Sequence, residues 1–271
     1  SNQSYNKSKG IFGIIGAGNF TSSMIVPSMT KASANIKYIA SKDGLSAKVL
    51  AKKGRINNAT SDYKKILNDS EVDAVIISTR HNLHAPIVIE SLKANKHVFV
   101  EKPLCLNTAE LDDIIKTQKK MNRMVIVGFN RRFSGLSEKI KNILGDSPKN
   151  IIATMNAGFI DGSSWVHDLD VGGGRILGEA CHYIDLCSFL ASGSIVSVCM
   201  NSMGSENSQK TDNATILLKY DNGTNAVINY FSNGSKSYPK ENIEIFDQQR
   251  TLVINNWREL RGYGTKQLSK T

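Results

Sequence analysis

From Ile11 to about Gly128 the chain alternates short apolar runs with longer stretches whose apolar positions recur every three or four residues. Few folds accept that alternation. A strand buried on both faces reads as a continuous apolar run, and parallel strands need a crossover that is usually a helix. The pattern therefore predicts βαβ units in a parallel sheet covered on both faces. Strands are expected at Ile11 to Ile15, Ile36 to Ala40, Val72 to Ser78, His97 to Val100 and Met124 to Val127. Helices are expected at Met24 to Ala32, Leu45 to Lys53, Pro86 to Ala94 and Leu111 to Met121, with Asn107-Thr-Ala-Glu110 offering a capping-box start to the last.

Past about Asn150 the texture becomes β-rich, with strands predicted at Ile151 to Met155, Ala214 to Tyr220, Asn225 to Phe231, Ile243 to Phe246 and Thr251 to Ile254. Asp221-Asn-Gly223 is a hairpin turn signal between two of them. One helix, from near Gly178 to about Leu190, follows Gly172-Gly-Gly174. With 271 residues the chain has room for two domains. The expected fold class is α/β: a dinucleotide-binding Rossmann domain over residues 10 to 130, then an α+β domain over 131 to 271 with a mostly antiparallel open sheet.

The first strand runs into Gly13-Ile-Ile-Gly16-Ala-Gly18-Asn19-Phe20-Thr21 and then a helix, the context a dinucleotide fingerprint requires. Gly16 permits the tight turn, and Gly18 lets the backbone approach a pyrophosphate at the helix N-terminus. Thr21 stands where the third glycine is usual. At the end of the second strand, Ser41 and Lys42 favour a 2′-phosphate and hence NADP, whereas Asp43 two residues on would favour the 2′-hydroxyl of NAD.

Composition removes other classes. Hydrophobic residues make up 40% and charged residues 21%, and no apolar run approaches the ~20 residues that cross a bilayer. The net charge of +10 is spread along the chain without a basic stripe, which argues against nucleic acid and suits a mildly anionic small ligand. The four cysteines, Cys105, Cys181, Cys187 and Cys199, show no metal-ligand spacing and read as buried reduced thiols. The polar N-terminal residues carry no apolar signal core, so a cytoplasmic location is expected.

Glu101-Lys102-Pro103 after a buried strand, the upstream glycine turn, and Gly-Gly-Gly before a helix bearing His182 and Asp185 together resemble the glucose-fructose oxidoreductase, inositol dehydrogenase and MocA family over roughly residues 10 to 260. Gly16-Ala-Gly-Asn-Phe20, Thr79-Arg-His-Asn-Leu-His84 and Gly172 to Asp185 are most similar to the dehydrogenase half of two-part proteins in which an alcohol-dehydrogenase-like module precedes this unit. The resemblance implies a sugar, polyol or sugar-nucleotide substrate. It also implies an open sheet in the second domain that pairs with another copy, and a Lys102-Pro103 bond that is commonly cis.

Oxidising a carbinol needs a group to take the hydroxyl proton, and the reverse reaction needs a donor for the developing alkoxide. Lys102 and His182 suit those roles; the plainer alternatives are a solvated lysine after a strand and a satisfied helical histidine. Family members commonly carry an aspartate four residues before this histidine, where this chain has Gly178. Glu179, about 100° further round a regular helix, replaces that carboxylate only if the helix is distorted or starts later. Asp185 either orients His182 or caps a neighbour. Thr79, His81, His84 and Glu101 fall near the nicotinamide by resemblance, with Asn82 equally suited to capping a helix. His81 and His84 lack a third partner for a metal, so none is expected. Arg131 or Arg132 suits an anionic substrate group or a basic helix start, and Trp165 suits sugar stacking. These readings predict NAD(P)-dependent hydride transfer at a secondary hydroxyl. The rival is a catalytically retired dinucleotide-binding sensor, which Gly178 makes conceivable.

Overall fold

The computed structural model describes residues 10–204, 210–265 and 268, so the polar N-terminal residues 1–9 lie outside it. The chain divides into two compact units, residues 1–128 and 129–271.

The first unit follows the predicted alternation: β1 (Ile11–Ile15), α1 (Val26–Lys31), β2 (Asn35–Ala40), α2 (Leu45–Gly54), β3 (Asn58–Thr60), α3 (Lys64–Asn68), β4 (Ala74–Ile77), α4 (His84–Lys93), β5 (His97–Val100), α5 (Thr108–Met121) and β6 (Val125–Val127). All six strands are parallel, in the order β3-β2-β1-β4-β5-β6. The sheet runs outward from β1 in both directions, and a ligand crevice forms where such a reversal occurs, at the carboxyl ends of the central strands. Ile14, Ile39, Val75, Ile77, Val88, Leu92 and Val100 are fully buried in two clusters. Those two clusters correspond to a core above and a core below the sheet, which is why the central strands are apolar at successive positions.

Three local features differ from expectation. The helix predicted from Met24 starts near Asn19 and passes through a π-helical turn, Thr21–Ile25, before α1. β3 and α3 escaped the sequence reading because a three-residue strand without a large apolar side chain and a single helical turn leave too little periodicity to register. The predicted capping box is realised in altered form. Asn107 Oδ1 accepts from the Glu110 N–H at 2.9 Å, but the Glu110 carboxylate reaches one residue further back, to the N–H of Leu106 at 2.8 Å. Asn107→Ala is expected to lower stability by about 1 kcal/mol, measured by urea denaturation, because it strands a helix N-terminal donor.

The second unit contains α6 (Gly135–Ile143), β7 (Asn150–Asn156), α7 (Cys181–Ala191), β8 (Ile195–Ser202), β9 (Ala214–Tyr220), β10 (Asn225–Phe231), β11 (Glu241–Asp247), β12 (Arg250–Asn255) and β13 (Glu259–Tyr263). Its seven strands run β13-β12-β11-β7-β10-β9-β8, antiparallel except for β7 against β10. The hairpin turn signal is realised: Gly223, at φ +90°, closes the loop between β9 and β10. α6, β8 and β13 are additions to the sequence reading, and α6 corrects the expectation of a single helix. α7 is nearly all apolar on its buried side, with Tyr183, Leu186, Cys187 and Leu190 fully buried in the cluster that lines one face of the sheet.

Candidate functional site

In the first unit, β1 hands the chain to Gly16, whose φ of +115° is open to glycine and strained for other residues. Its N–H donates to Ala40 O at 2.9 Å, and a Cβ there would stand 2.6 Å from Ser78 O. Gly18 is the opposite case, since an added Cβ would meet no atom within 4 Å. The backbone is thus closed at Gly16 by its own sheet and open at Gly18, where the helix beginning at Asn19 presents its N-terminus. Phe20 is exposed beside it. Thr21, in place of a third glycine, is fully buried and sets its Oγ1 2.7 Å from Ser78 Oγ, tying the turn to the end of β4.

At the end of β2, Ser41 Oγ donates to Asp43 at 2.8 Å and accepts from the Ala47 N–H at 3.1 Å. Asp43 also accepts from the Ser46 hydroxyl at 2.8 Å, and the Ser41 and Ser46 hydroxyls hold its carboxyl below the usual carboxylate range. Ser41 and Asp43 therefore close the first turn of α2, while Lys42 is exposed.

β4 ends beside β1 and β5 beside β4, which brings Thr79, His81, Glu101 and Lys102 to the same sheet edge as the glycine turn. The Lys102-Pro103 bond is cis. Glu101 donates its N–H to Ile77 O at 2.8 Å, and burial raises its carboxyl pKa. Gly128 backs this side chain, and a Cβ on it would fall 2.8 Å from Glu101 Oε1. His84 corrects the sequence reading. It is fully buried, with Nδ1 2.7 Å from Pro103 O and Nε2 3.2 Å from Thr79 O, and burial lowers its pKa despite both carbonyls. Its ring bridges the turns after β4 and β5, so it shapes the edge from beneath and offers no surface to a ligand. Among the described residues no group of three or more His, Cys, Asp or Glu is placed to hold a metal ion.

In the second unit, the turn Asn130–Phe133 delivers two arginines to carboxylates. Arg131 binds Glu241 through Nε at 3.0 Å and an Nη at 2.8 Å and lies over the Tyr183 ring. Arg132 binds Asp185 in the same two-pronged way, with 2.8 Å from Nε, and lies over Phe189. Fork-to-fork pairing compensates a guanidinium's charge while using two of its five N–H donors. These pairs are joints fixing α7 and β11 to the turn, a structural use of Arg131, Arg132 and Asp185 beside the substrate and catalytic-support roles read for them.

The glycine run has a local cause. The Asp168 carbonyl accepts from the N–H groups of Gly172 at 2.7 Å and Gly173 at 3.1 Å, and a Cβ on Gly172 would lie 2.5 Å from Trp165 O. Gly173 and Gly174 both have positive φ. Trp165 is half-buried in the loop so packed. The chain then enters a π-helical turn, Ile176–Ala180, that leads into α7, which supplies the distortion a role for Glu179 requires. Glu179 Oε2 accepts from Tyr230 Oη at 2.8 Å, and Oε1 lies 3.4 Å from Arg175 Nε. Arg175 is itself buried, donates to Gly158 O at 2.8 Å, stacks over the Tyr230 ring and lies 3.5 Å from Asp212. His182, next along, is buried edge-on to Phe129 with ring centroids 6.2 Å apart. The sequence reading missed Arg175, Asp212, Tyr230 and Glu241. The signal available was a charged or hydroxylated residue inside an otherwise apolar pattern.

Two family profiles match this chain. One is described as an oxidoreductase family with an NAD-binding Rossmann fold, over residues 11–129, and the other as a GFO/IDH/MocA C-terminal domain, over residues 146–253. A myo-inositol 2-dehydrogenase of Thermotoga maritima is 29% identical over 210 residues, 75% of this chain but 63% of that relative's own length. Among solved structures, an NAD-binding oxidoreductase from Klebsiella pneumoniae superposes with a TM-score of 0.81 at 21% identity, covering 94% of this chain and 76% of that one. A levoglucosan dehydrogenase in complex with NADH gives 0.80 at 22% identity, covering 96% and 77%. At these identities the two structures establish the fold.

Proposed function

The chain belongs to the Gfo/Idh/MocA oxidoreductase family, and from that premise we propose that it transfers a hydride between a nicotinamide dinucleotide and a secondary hydroxyl or ketone of a sugar-like small molecule. The observation that carries this reading is the pair of glycines after β1. Gly16 is imposed by Ser78, whereas nothing among the described residues imposes Gly18, whose open backbone at a helix N-terminus fits a pyrophosphate. Asn19 and Phe20 flank that approach, and Thr79, His81 and Glu101 supply the rest of the edge. When bound, the dinucleotide supplies the hydride chemistry. The chain's own residues handle the proton. Lys102, at the carboxyl end of β5, is assigned to take the hydroxyl proton or return it to the alkoxide, and His182, at the start of α7, is assigned as the acid–base or hydrogen-bonding group of the second unit. Each is assigned on its own unit.

Several further features support finer readings. Lys42 is exposed while Asp43 is engaged in capping α2, which favours a 2′-phosphate and therefore NADP. The four cysteines are free, which suits a cytosolic setting, but only Cys187 is buried and Cys199 is exposed, against the expectation that all four lie in the core. Val196, Val198 and Met200 of β8 are exposed, as self-association through the second sheet requires.

Fluorescence titration with NADPH and NADH tests the reading. Binding in the micromolar range, tighter for NADPH and abolished by Gly18→Glu, is the expected result. Failure of both dinucleotides to bind overturns the reading, and binding without turnover on any sugar or polyol turns it into a sensor.

A further inference from the structure

Charge that is dispersed along the sequence is gathered by the fold. Residues 1–128 hold 19 Lys and Arg against 10 Asp and Glu, so the first unit carries +9 of the net +10. Within it, the stretch from Asn19 to Ile56 contains one acid, Asp43, whose carboxyl is engaged by the Ser41 and Ser46 hydroxyls. Ile25 and Val26 of the first helical path pack with Ala47, Leu50 and Ala51 of α2 in one core cluster that includes Ile14 and Ile39. Both helices therefore lie on the same side of the sheet and turn their opposite faces outward. Those outward faces carry large apolar side chains: Met24, Leu45 and Val49 are 53%, 68% and 63% exposed, and Leu45 and Val49 stand one turn apart on α2. On the same two helices and at their ends, Lys31, Lys48, Lys52, Lys53 and Arg55 are exposed, and none forms an ion pair among the described residues. Lys37 in β2 shows the contrast, since it is bound to Asp69 and Glu71.

We propose that this outward face of α1 and α2 is a peripheral docking surface for an anionic lipid bilayer. A helix that exposes apolar side chains among lysines gains twice at such a surface, because the apolar area leaves water and the cations meet lipid phosphates and carboxylates. Scattered exposed apolar side chains are ordinary; Met24, Leu45 and Val49 share one face with unpaired cations. Other occupants match this chemistry less well. A second copy of the chain has no net negative unit to offer, since residues 129–271 hold 15 Lys and Arg against 14 Asp and Glu. Protein interfaces are enriched in Arg and aromatic residues and depleted in Lys, whereas four of these five cations are Lys and none of the three apolar side chains is aromatic. The same lack of stacking platforms disfavours single-stranded nucleic acid. The inference is independent of the hydride-transfer reading, because it uses neither Lys102 nor His182.

The test is co-sedimentation of the full chain with vesicles of phosphatidylcholine alone and of phosphatidylcholine with about one-third phosphatidylserine. Binding about tenfold tighter to the serine-containing vesicles, falling steeply as salt rises from about 0.1 to about 0.5 M, is the expected result. Lys48→Glu/Lys52→Glu/Lys53→Glu should abolish it, and the same three positions changed to Arg should retain it. Leu45→Ser/Val49→Ser should weaken it about tenfold through the lost apolar contact. Lys236→Glu/Lys240→Glu, which alters two exposed lysines of the second unit, should leave it unchanged. Thermal unfolding of each variant separates lost docking from misfolding. No binding to the serine-containing vesicles, equal binding to both kinds, binding that survives the glutamate triple, or equal loss in the second-unit variant overturns the proposal. Retention of a DNA oligonucleotide or of poly-glutamate without vesicle binding also overturns it, giving the face to nucleic acid or to an acidic protein.

Discussion

Lys102→Ala is expected to lower kcat by two to four orders of magnitude, on the order of what a positioned proton-transfer group contributes, while the dinucleotide Kd changes less than threefold. The argument is positional. Lys102 follows β5 at the edge where β1 and β4 also end, and the chain beyond it is held by the buried His84 ring against Pro103 O. The Glu101 backbone is pinned to Ile77. The lysine is thus presented by a rigid turn, and its removal deletes a functional group without loosening its support. Steady-state kinetics on the best substrate of the panel, beside a dinucleotide titration, separate the two effects. A Lys102→Ala enzyme with kcat within threefold of wild type would move the proton chemistry to another residue.

Glu241→Ala is expected to cost about 3–5 kcal/mol of stability, the range for breaking a buried ion pair and leaving one partner uncompensated. Glu241 is nearly buried and receives two hydrogen bonds from Arg131 and one from the Trp257 indole N–H. Burial alone would raise its pKa, but the Arg131 guanidinium and the Tyr183 and Trp257 donors outweigh that and hold it below the ordinary glutamate value of 4.5. The sign follows from that direction. A carboxylate with a depressed folded-state pKa contributes stability that is present above its unfolded value and is lost as pH falls through the folded one. The wild-type Tm should therefore drop more steeply than that of Glu241→Gln as pH is lowered below about 4.5, with the gap between them largest near neutrality. Parallel Tm curves for the two proteins would show that the carboxylate charge does not carry the joint.

Much of the fold was legible because burial on both faces of a parallel sheet leaves an apolar run that no neighbouring element can disguise. β1, β2 and β5 fall within a residue or two of expectation for that reason, while α2 and the β9–β10 hairpin do so through helical periodicity and the Asp221-Asn-Gly223 turn signal. β3, α3 and α6 did not register, since short elements are selected by the packing around them more than by their own periodicity. The glycine turn was legible for a different reason, because Gly16 answers a backbone constraint that only one residue type relieves.

The polar side chains divide along another line. The positions of Lys102, His182 and the glycines follow from chain order, because each sits at a fixed offset from a strand end or a helix start. What they touch does not. Arg131 meets Glu241 across 110 positions, Arg132 meets Asp185 across 53, and Tyr230 meets Glu179 across 51. Ion pairs depend on distance in space, and strand order β11-β7-β10 with α7 laid over it is what brings those residues together. The amino-acid order alone thus settled the class of fold, the glycine turn after β1 and the residue types available for chemistry. Which arginines are neutralised, that His84 is a buried tie, and that a π-helical turn aims Glu179 at Tyr230 were decided only by tertiary packing, because hydrogen bonds and charges act between neighbours that a linear sequence does not name.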